Sequence, residues 1–311
     1  RNLSGMPFVH LASETQLHAI IDKAKQGLAA AEETEQTNWI DLEETDALHR
    51  RLLYERHLIS RPHADANGPR GVAVAQDAML SIMVNEEDHV RMHALGTGLT
   101  PRNCFDRIKK LDEAMQASTE WAFHPRWGFQ SACPTNVGTA VRFSAMLHLP
   151  GLRLTGELDK VRQAAKDLHL AVRGYYGEGS ESSGNFYQVS NQITLGCSED
   201  ELLDRFRETI VPGIIEYERA ARRMLLKQSA TQLEDRVHRD LAVLQSARRV
   251  KVDEAMRRLS MIRLGCCTGL LDGPPLDLVN GLFQQVQTGH LQQLTNRTLT
   301  PEEAQIARAD L

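Results

Sequence analysis

Four adjacent ionisable residues follow an apolar stretch of the sequence: Glu86, Glu87, Asp88 and His89, directly after Asn85. Such a cluster at the end of a strand is as typical of a solvated turn as of a functional site. A metal site built on His89 is a weaker alternative, because the cysteines show no metal-ligand spacing. The position of this cluster relative to other motifs must decide between a turn and a site.

A cysteine opens the second candidate motif. Cys133 is followed by Pro134, Thr135 and Asn136, and then by Gly138 and Thr139. Loops of this composition expose backbone N–H groups and hydroxyls that can stabilise an anion or a thiolate. A buried inert thiol is the ordinary alternative. A Cys–His hydrolase would need a base that the sequence does not identify.

Three arginines accompany these motifs. Arg91 lies four residues after Glu87, Arg142 nine after Cys133, and Arg173 five before Glu178 in a glycine-rich stretch. Single arginines are usually surface residues, but guanidinium groups pair bidentately with phosphate oxygens. Together they indicate a clamp for a polyphosphate. The glycine-rich stretch lacks Gly-Lys-Ser/Thr and is therefore no Walker P-loop.

The elements that carry these residues can be predicted from periodicity. Strands are expected at 71–75 and 78–84, as a hairpin turning at Gln76-Asp77, and at 185–195. Helical patterns run over the polar stretch 15–54, over 111–120, over 140–147 and, as several helices, from 200 to 260 and beyond. Strands mixed with helices predict an α+β class. We expect a catalytic domain over 1–220 and a small all-helical C-terminal domain over 221–311.

Composition and net charge exclude some classes of protein. The 311 residues are 41% hydrophobic, and 36 basic residues against 41 acidic ones give a net charge of −5. This balance argues against a general nucleic-acid or membrane-surface binder. The five cysteines form an odd set without the spacing of a disulfide framework, and no run of 18 apolar residues occurs. Both features indicate a cytoplasmic protein. The chain opens on Arg1 without methionine, so we expect that residues precede it.

Several motifs in register carry a resemblance to a known family. They are Arg1-Asn2-Leu3, Asn85-Glu86-Glu87-Asp88-His89, the run from Cys133 to Thr139, the run from Arg173 to Glu181, and Gln188-Val189-Ser190-Asn191-Gln192. The chain resembles the ATP:guanido phosphotransferases, which include the arginine and creatine kinases, and in particular the bacterial protein arginine kinases. The resemblance implies the guanido-kinase fold, with a mainly antiparallel sheet flanked by helices.

The resemblance also implies roles for individual residues. On the acceptor side, Glu87 and Glu178 would grip the guanidinium, and Cys133 would lie beside its terminal nitrogens. On the ATP side, the resemblance implies that the phosphates are bound by Arg91, Arg142 and Arg173. Glu86 would order the water shell of Mg²⁺, and His57 would pack near adenine. No protein side chain is expected to ligate Mg²⁺ directly, because the ion arrives with ATP.

The implied activity is transfer of the ATP γ-phosphoryl group to arginine side chains of proteins, marking them for a Clp-type protease in a stress response. An activator of the McsA type and a homodimer are the implied partners. Metabolite-specific members carry a helical domain before the catalytic one, whereas here a helical segment follows it. A small-molecule guanidino kinase and an inert phosphoarginine-binding relative remain alternatives.

The sequence departs from the family pattern in two places. A Ser-x-Arg-x-Arg stretch that supplies further phosphate contacts would lie just before Arg1. Near the C-terminus, an Arg-Asp-x-x-Arg-Ala signature for phosphoarginine allostery is matched only at Arg308 and Ala309, where Ala304 and Gln305 replace its first two residues. We therefore do not expect this allostery in its usual form.

Overall fold

The computed structural model describes residues 1–175 and 183–311. The chain divides into two compact units, which are treated separately below. Unit 1 comprises Arg1–Phe143 with Asn191–Arg207, and unit 2 comprises Ser144–Ser190 with Glu208–Leu311. These units group the chain differently from the predicted domains 1–220 and 221–311, which stay a prediction.

Unit 1 is built on a four-stranded antiparallel sheet. In spatial order its strands are β1 (Thr37–Asp41), β2 (Gly71–Ala75), β3 (Leu80–Val84) and β4 (Val90–Ala94). The predicted hairpin is confirmed as β2 and β3, both buried along their whole length. A strand buried on both faces is expected from a continuous apolar run.

The predicted helix over 15–54 is wrong in its middle. Only α1 (Glu14–Ala30) and α2 (Ala47–Glu55) are helical, and β1 lies between them. Trp39 pairs with Ala73 on β2, and its ring lies over Gly71, where an added Cβ would come within 2.1 Å of the indole. Pairing with β2 and this ring contact therefore override the polar composition of β1.

Apolar side chains pack on both faces of this sheet. One face meets α1 and α4 (Pro101–Met115) through residues such as Ile20, Ile82 and Leu111. The other face packs Leu53 and Leu58 against Val72. The remaining α-helices and strands of unit 1 are α3 (Arg61–Asp65), the short strands β5 (Phe123–His124) and β6 (Gly128–Phe129), and α7 (Glu199–Arg205).

The loop that joins α3 to β2 is held by a buried arginine. Arg70 is 2% exposed, and its guanidinium donates to the backbone carbonyls of His63 at 3.0 Å and Gly68 at 2.9 Å. Buried charged groups need such partners because their desolvation is costly.

Unit 2 contains a three-stranded sheet of β7 (Ser144–His148), β9 (Phe186–Asn191) and β8 (Leu170–Arg173), in that spatial order. The predicted strand at 185–195 is confirmed over β9. The predicted helix at 140–147 is wrong, because β7 pairs antiparallel with β9 through Ala145↔Val189 and its neighbours. Alanine, methionine and leucine are good helix formers, but intrinsic propensity is a small effect that strand pairing overrides.

The remainder of unit 2 is helical, as predicted for the C-terminal part. Its helices are α5 (Pro150–Thr155), α6 (Leu158–Asp167), α8 (Val211–Ser246), α9 (Val252–Thr268), α10 (Leu276–Gln285), α11 (Thr288–Thr295) and α12 (Pro301–Ala309). A five-residue π-helical segment at Phe206–Ile210 precedes α8, which is kinked at Ser229. Helices α8, α9 and α10 share one core that includes Val237, Leu259 and Phe283.

Arg308 lies inside this helical region and is 7% exposed. Its guanidinium donates to the backbone carbonyls of Val286 at 2.6 Å and Val250 at 2.9 Å. The arginine that matched the allosteric signature therefore joins α12 to two other segments. Across the ranges that the structure describes, no helix combines the length and apolarity needed to cross a bilayer.

Candidate active site

The turn after β3 has a fixed backbone. Asn85 adopts a left-handed conformation with φ of 61°, which asparagine tolerates better than most residues. Its side-chain amide is buried and donates to the carbonyls of Leu17 and Pro69, each at 3.0 Å. The chain that follows, Glu86 to His89, therefore leaves the sheet in one defined direction.

Glu86 lies on the inner side of this turn. Its carboxylate accepts from the Ser60 hydroxyl at 2.6 Å and faces the Arg91 guanidinium at 3.3 Å, and its side chain is only 8% exposed. Burial favours the neutral acid, but Arg91, Ser60 and the Glu87 N–H together outweigh it. The pKa of Glu86 consequently lies below its usual value, and the group is ionised at neutral pH.

Glu87, by contrast, is on the exposed side of the turn. Its backbone N–H donates to Glu86 Oε2 at 3.1 Å, which fixes the main chain beneath it. The two neighbouring glutamates therefore differ: Glu86 is held beside Arg91, whereas Glu87 is exposed, where an acceptor could reach it.

Asp88 connects the turn to the cysteine loop, a role that sequence reasoning missed. Its carboxylate accepts from the Asn2 amide, the Ser131 hydroxyl and the Ala132 N–H, each at 2.7 Å. Ser131 in turn accepts from the Cys133 N–H at 3.2 Å. Three short bonds to one carboxylate hold the Glu87 turn and the Cys133 loop in a fixed relation.

The segment that begins the chain supports both loops. Arg1 pairs with Asp112 at 2.7 Å, stacks over Phe129 and donates to the Thr139 carbonyl at 2.9 Å. These contacts explain the position of the Arg1-Asn2-Leu3 motif beside the other two in unit 1.

Cys133 stands immediately before a single 3₁₀ turn, Pro134–Asn136, and is partly exposed. Its Sγ lies 3.1 Å from the Thr135 hydroxyl, within hydrogen-bonding distance. Thr194 steadies the turn, since its hydroxyl bonds to the carbonyls of Thr135 at 3.0 Å and Val137 at 2.8 Å.

Arg91, which the resemblance assigns to phosphate binding, lies on β4. Arg91 and His93 are two residues apart on this strand, so their side chains share a face. Burial first, and then the charges of Arg91 and His57, lower the pKa of His93 to about 4. His57 therefore lies near enough to His93 for its charge to affect the pKa of His93.

His89 is a structural residue. It is completely buried, accepting from the Leu3 N–H at its Nδ1 at 2.9 Å and donating from its Nε2 to the Pro7 carbonyl at 2.8 Å. Because both ring nitrogens are engaged, the imidazole has no lone pair to offer a metal.

Three predicted site residues remain, and each has a different setting. Arg142 is exposed and donates to the Asn136 side chain at 3.4 Å, next to the cysteine turn. Arg173 ends β8 in unit 2 and is half-buried. Glu178 lies outside the residues that the structure describes.

Comparison with known families matches both parts of the chain. Residues 19–221 match the family described as ATP:guanido phosphotransferase, C-terminal catalytic domain. Residues 230–311 match the protein-arginine kinase McsB C-terminal domain. The kink at Ser229 falls between the two matches.

Similar proteins cover the whole chain. The protein-arginine kinase of Halothermothrix orenii is 37% identical over 316 residues, which cover 100% of this chain and 88% of that protein. That of Bacillus pumilus is 37% identical over 311 residues, covering 99% and 85%.

Solved structures share the fold. A lombricine kinase aligns with a TM-score of 0.61 at 23% identity, covering 71% of this chain and 64% of that one. The duplicated taurocyamine kinase from Schistosoma mansoni aligns with a TM-score of 0.62 at 24% identity, covering 71% and 32%. These matches confirm the guanido-kinase fold and the resemblance seen in the motifs. The chain therefore belongs to the ATP:guanido phosphotransferase family and, within it, to the protein-arginine kinases.

Proposed function

We propose that this chain transfers the γ-phosphoryl group of ATP to the guanidinium of arginine residues in proteins. The observation that carries the proposal is the similarity to protein-arginine kinases along the whole chain, including the C-terminal helices that match their C-terminal domain. A catalytic domain over 1–220 and a helical domain over 221–311 are part of this proposal.

In the proposed reaction, a guanidinium nitrogen forms a bond to the γ-phosphorus while the bond from that phosphorus to the β,γ-bridging oxygen breaks and ADP leaves. The nitrogen is a poor nucleophile because its lone pair is delocalised, so it must be aligned and must lose a proton. Glu87, exposed on its fixed turn, takes that proton. Glu178 grips the other side of the guanidinium, and the Cys133 thiolate steers its charge.

Arginines bind the polyphosphate in this scheme. Arg91, whose side chain is 51% exposed although it pairs with Glu86, can turn its remaining donors to phosphate oxygens. Arg142 and Arg173 are proposed to do the same, and His57 to pack near adenine. Such donors stabilise the charge that spreads over the transferring group.

ATP is proposed to bind with Mg²⁺, whose water shell Glu86 would order. The setting of Glu86 fits this indirect role: the group is ionised, and its orientation is set by Ser60 and Arg91. The ion neutralises phosphate charge when it is bound.

The proposal also includes cellular partners. The phosphorylated proteins would be marked for a Clp-type protease in the cytoplasm during stress. The enzyme would act as a homodimer together with an activator of the McsA type.

The test is mass spectrometry at neutral pH, which spares the acid-labile N–P bond. An arginine-bearing protein is incubated with Mg·ATP and the full-length enzyme, in parallel with its Glu178→Ala variant. Phosphoarginine should appear in the protein with the unaltered enzyme and should be lost with the variant. If free arginine alone were phosphorylated, a small-molecule guanidino kinase would replace the proposal. If neither were phosphorylated even with an activator, an inert binding protein would.

A further inference from the structure

A surface cavity lies beside the short hairpin of β5 and β6 in unit 1. Its volume is about 580 Å³, and it is lined by residues 116–120, which follow α4, and by three aromatic residues, Trp121, Phe123 and Phe129. None of these residues has a role in the proposed phosphoryl transfer. The cavity is therefore a feature of unit 1 that the reaction itself does not explain.

Aromatic rings of this hairpin already carry guanidinium groups. Arg1 lies over Phe129, with its guanidinium carbon 3.4 Å from the ring centroid. Arg126 lies over Trp127 at 4.5 Å. Phe123, whose ring meets that of Phe129 edge-on at 5.2 Å, is 57% exposed and has no such cation among the described residues. Because the face of an aromatic ring attracts cations, Phe123 offers a place for one more.

The charge beside the cavity has the sign that a cation requires. Glu120 lines the cavity, is exposed, and has no cationic partner in the parts of the chain that the structure describes. Its main chain is fixed, because its carbonyl accepts from the Ser4 N–H at 2.8 Å. The end of α4 adds partial negative charge, since the helix dipole is negative at its C-terminus. A carboxylate, a helix end and an exposed ring together suit a basic side chain.

The hairpin is joined directly to the cysteine loop. The Phe129 N–H donates to the Gly138 carbonyl at 2.8 Å, and a Cβ added to Gly128 would come within 2.4 Å of that oxygen. Phe129 precedes Cys133 by four residues. Their Cα atoms are therefore at most about 14 Å apart, a distance that an extended peptide covers with about four residues. A basic side chain in the cavity and an arginine beside Cys133 can thus belong to one short segment of a substrate.

We propose that this cavity is an exosite, a substrate-docking site outside the active site, for a lysine or arginine side chain about four residues from the arginine that is phosphorylated. Glu120 pairs with the cation, and Phe123 stacks on it. The inference rests on the proposed function and adds to it a preference for basic sequence around the target.

The test compares two peptides with the full-length enzyme. Each peptide contains one arginine. The first carries a lysine four residues away on either side, and the second carries glutamine at both places. The lysine peptide should have a kcat/KM about fivefold higher, mainly through a lower KM, because an exposed ion pair and a cation–π contact each contribute modestly.

Removal of the carboxylate should remove most of this preference. Glu120→Gln should reduce it to about twofold or less and leave kcat/KM for the glutamine peptide unchanged. Glu113→Gln, the matched control, removes the same charge from an exposed position of α4 seven residues earlier and should keep the full preference. Equal kcat/KM values for the two peptides with the unaltered enzyme would overturn the inference. An undiminished preference in Glu120→Gln, or an equal loss in Glu113→Gln, would do the same.

A second variant removes the aromatic face. Phe123→Leu keeps an apolar side chain at an exposed position, so the fold should be unaffected. The preference for the lysine peptide should fall about twofold, as expected for an exposed cation–π contact. A Phe123→Leu enzyme with the full preference would contradict the ring contact on which the inference depends.

Fluorescence anisotropy of labelled peptides measures binding without phosphoryl transfer and separates the two proposals. If neither peptide is phosphorylated but the lysine peptide binds more tightly, and only while Glu120 is present, the proposed function fails and the cation site remains. If both peptides are phosphorylated and are bound equally well, only the exosite fails.

Discussion

In unit 1, the turn that carries Glu87 is held by the carboxylate of Asp88, which accepts hydrogen bonds from three donors, each at 2.7 Å. In unit 2, the ends of segment 176–182 are held by aromatic rings and by the neutral Ser260 hydroxyl. Charge-assisted bonds are short and directional, so they fix a group that must meet its substrate accurately. Ring contacts and one hydroxyl tolerate small shifts more easily.

The two regions should therefore respond differently to substitution. Removing a charged partner in unit 1 leaves donors unpaired in a partly buried place, which is costly. Removing the neutral Ser260 hydroxyl in unit 2 also leaves buried partners unpaired, but a bond between neutral groups contributes less than one to a charged group. Four predictions test this contrast in unit 1, where the individual contacts are best defined.

The largest effect is expected for Glu87→Gln, which keeps the size of the side chain and removes its capacity to accept a proton. The rate should fall about 10³-fold, within the range for loss of a general base. Steady-state kinetics with an arginine-bearing protein measures it. Glu113→Gln, at an exposed position of α4, is the control and should leave the rate unchanged. A Glu87→Gln enzyme within tenfold of normal would exclude Glu87 as the base.

Asp88→Ala should follow, with kcat lower by about 10²-fold, because the Cys133 loop loses its attachment to the Glu87 turn. The matched control is Asp65→Ala, which removes an exposed aspartate paired with Arg61 at 3.4 Å. Its rate should equal that of the unaltered enzyme. If Asp88→Ala lost stability but kept its kcat, the charged attachment would serve folding alone, and the contrast between the units would disappear.

Acid should destabilise unit 1 through His63, whose pKa is lowered to about 4, chiefly by burial. The unfolded chain binds a proton at this residue below pH 6.5, whereas the folded chain does so only near pH 4. Stability is therefore lost as the pH falls through this window, by about 2 kcal/mol at pH 5.

Urea unfolding at pH 7 and pH 5 measures that loss. In His63→Gln the difference between the two pH values should shrink by about 2 kcal/mol. His10→Gln, at an exposed position, should leave it unchanged. An unaltered pH dependence in His63→Gln would show that other groups account for the acid sensitivity.

The smallest effect is expected for Cys133→Ser, which places a hydroxyl beside Thr135 in place of the thiol. Loss of the thiolate should lower kcat about tenfold, or about 1.4 kcal/mol. Cys267→Ser, at an exposed thiol, is the control. A rate that did not change would mean that Cys133 does not steer the acceptor.

Sequence reasoning succeeded where the pattern was local. The apolar runs of β2 and β3 and the alternation in β9 were sufficient to predict strands. It failed for β1 and β7, whose conformation depends on partners that are distant in the sequence: β1 pairs with β2, and β7 with β9.

The candidate site shows the same limit. Glu86, Glu87, Cys133 and Arg91 could be selected as candidates by type and spacing, while their roles follow from the family resemblance and stay a prediction. Asp88 could not be given its role, since its donors Asn2 and Ser131 lie 86 and 43 residues away along the chain. Which side chain holds another is decided by folding and not by proximity in the sequence.

An enzyme that modifies arginines contains arginines of its own. The guanidinium groups of Arg70 and Arg308 are packed inside the protein, where each donates to backbone carbonyls. Another copy of the enzyme can reach them only after the surrounding structure has opened. A phosphoryl group found on either residue would therefore record that this molecule had lost its native structure, and these two positions would act as internal reporters of damage to the kinase itself.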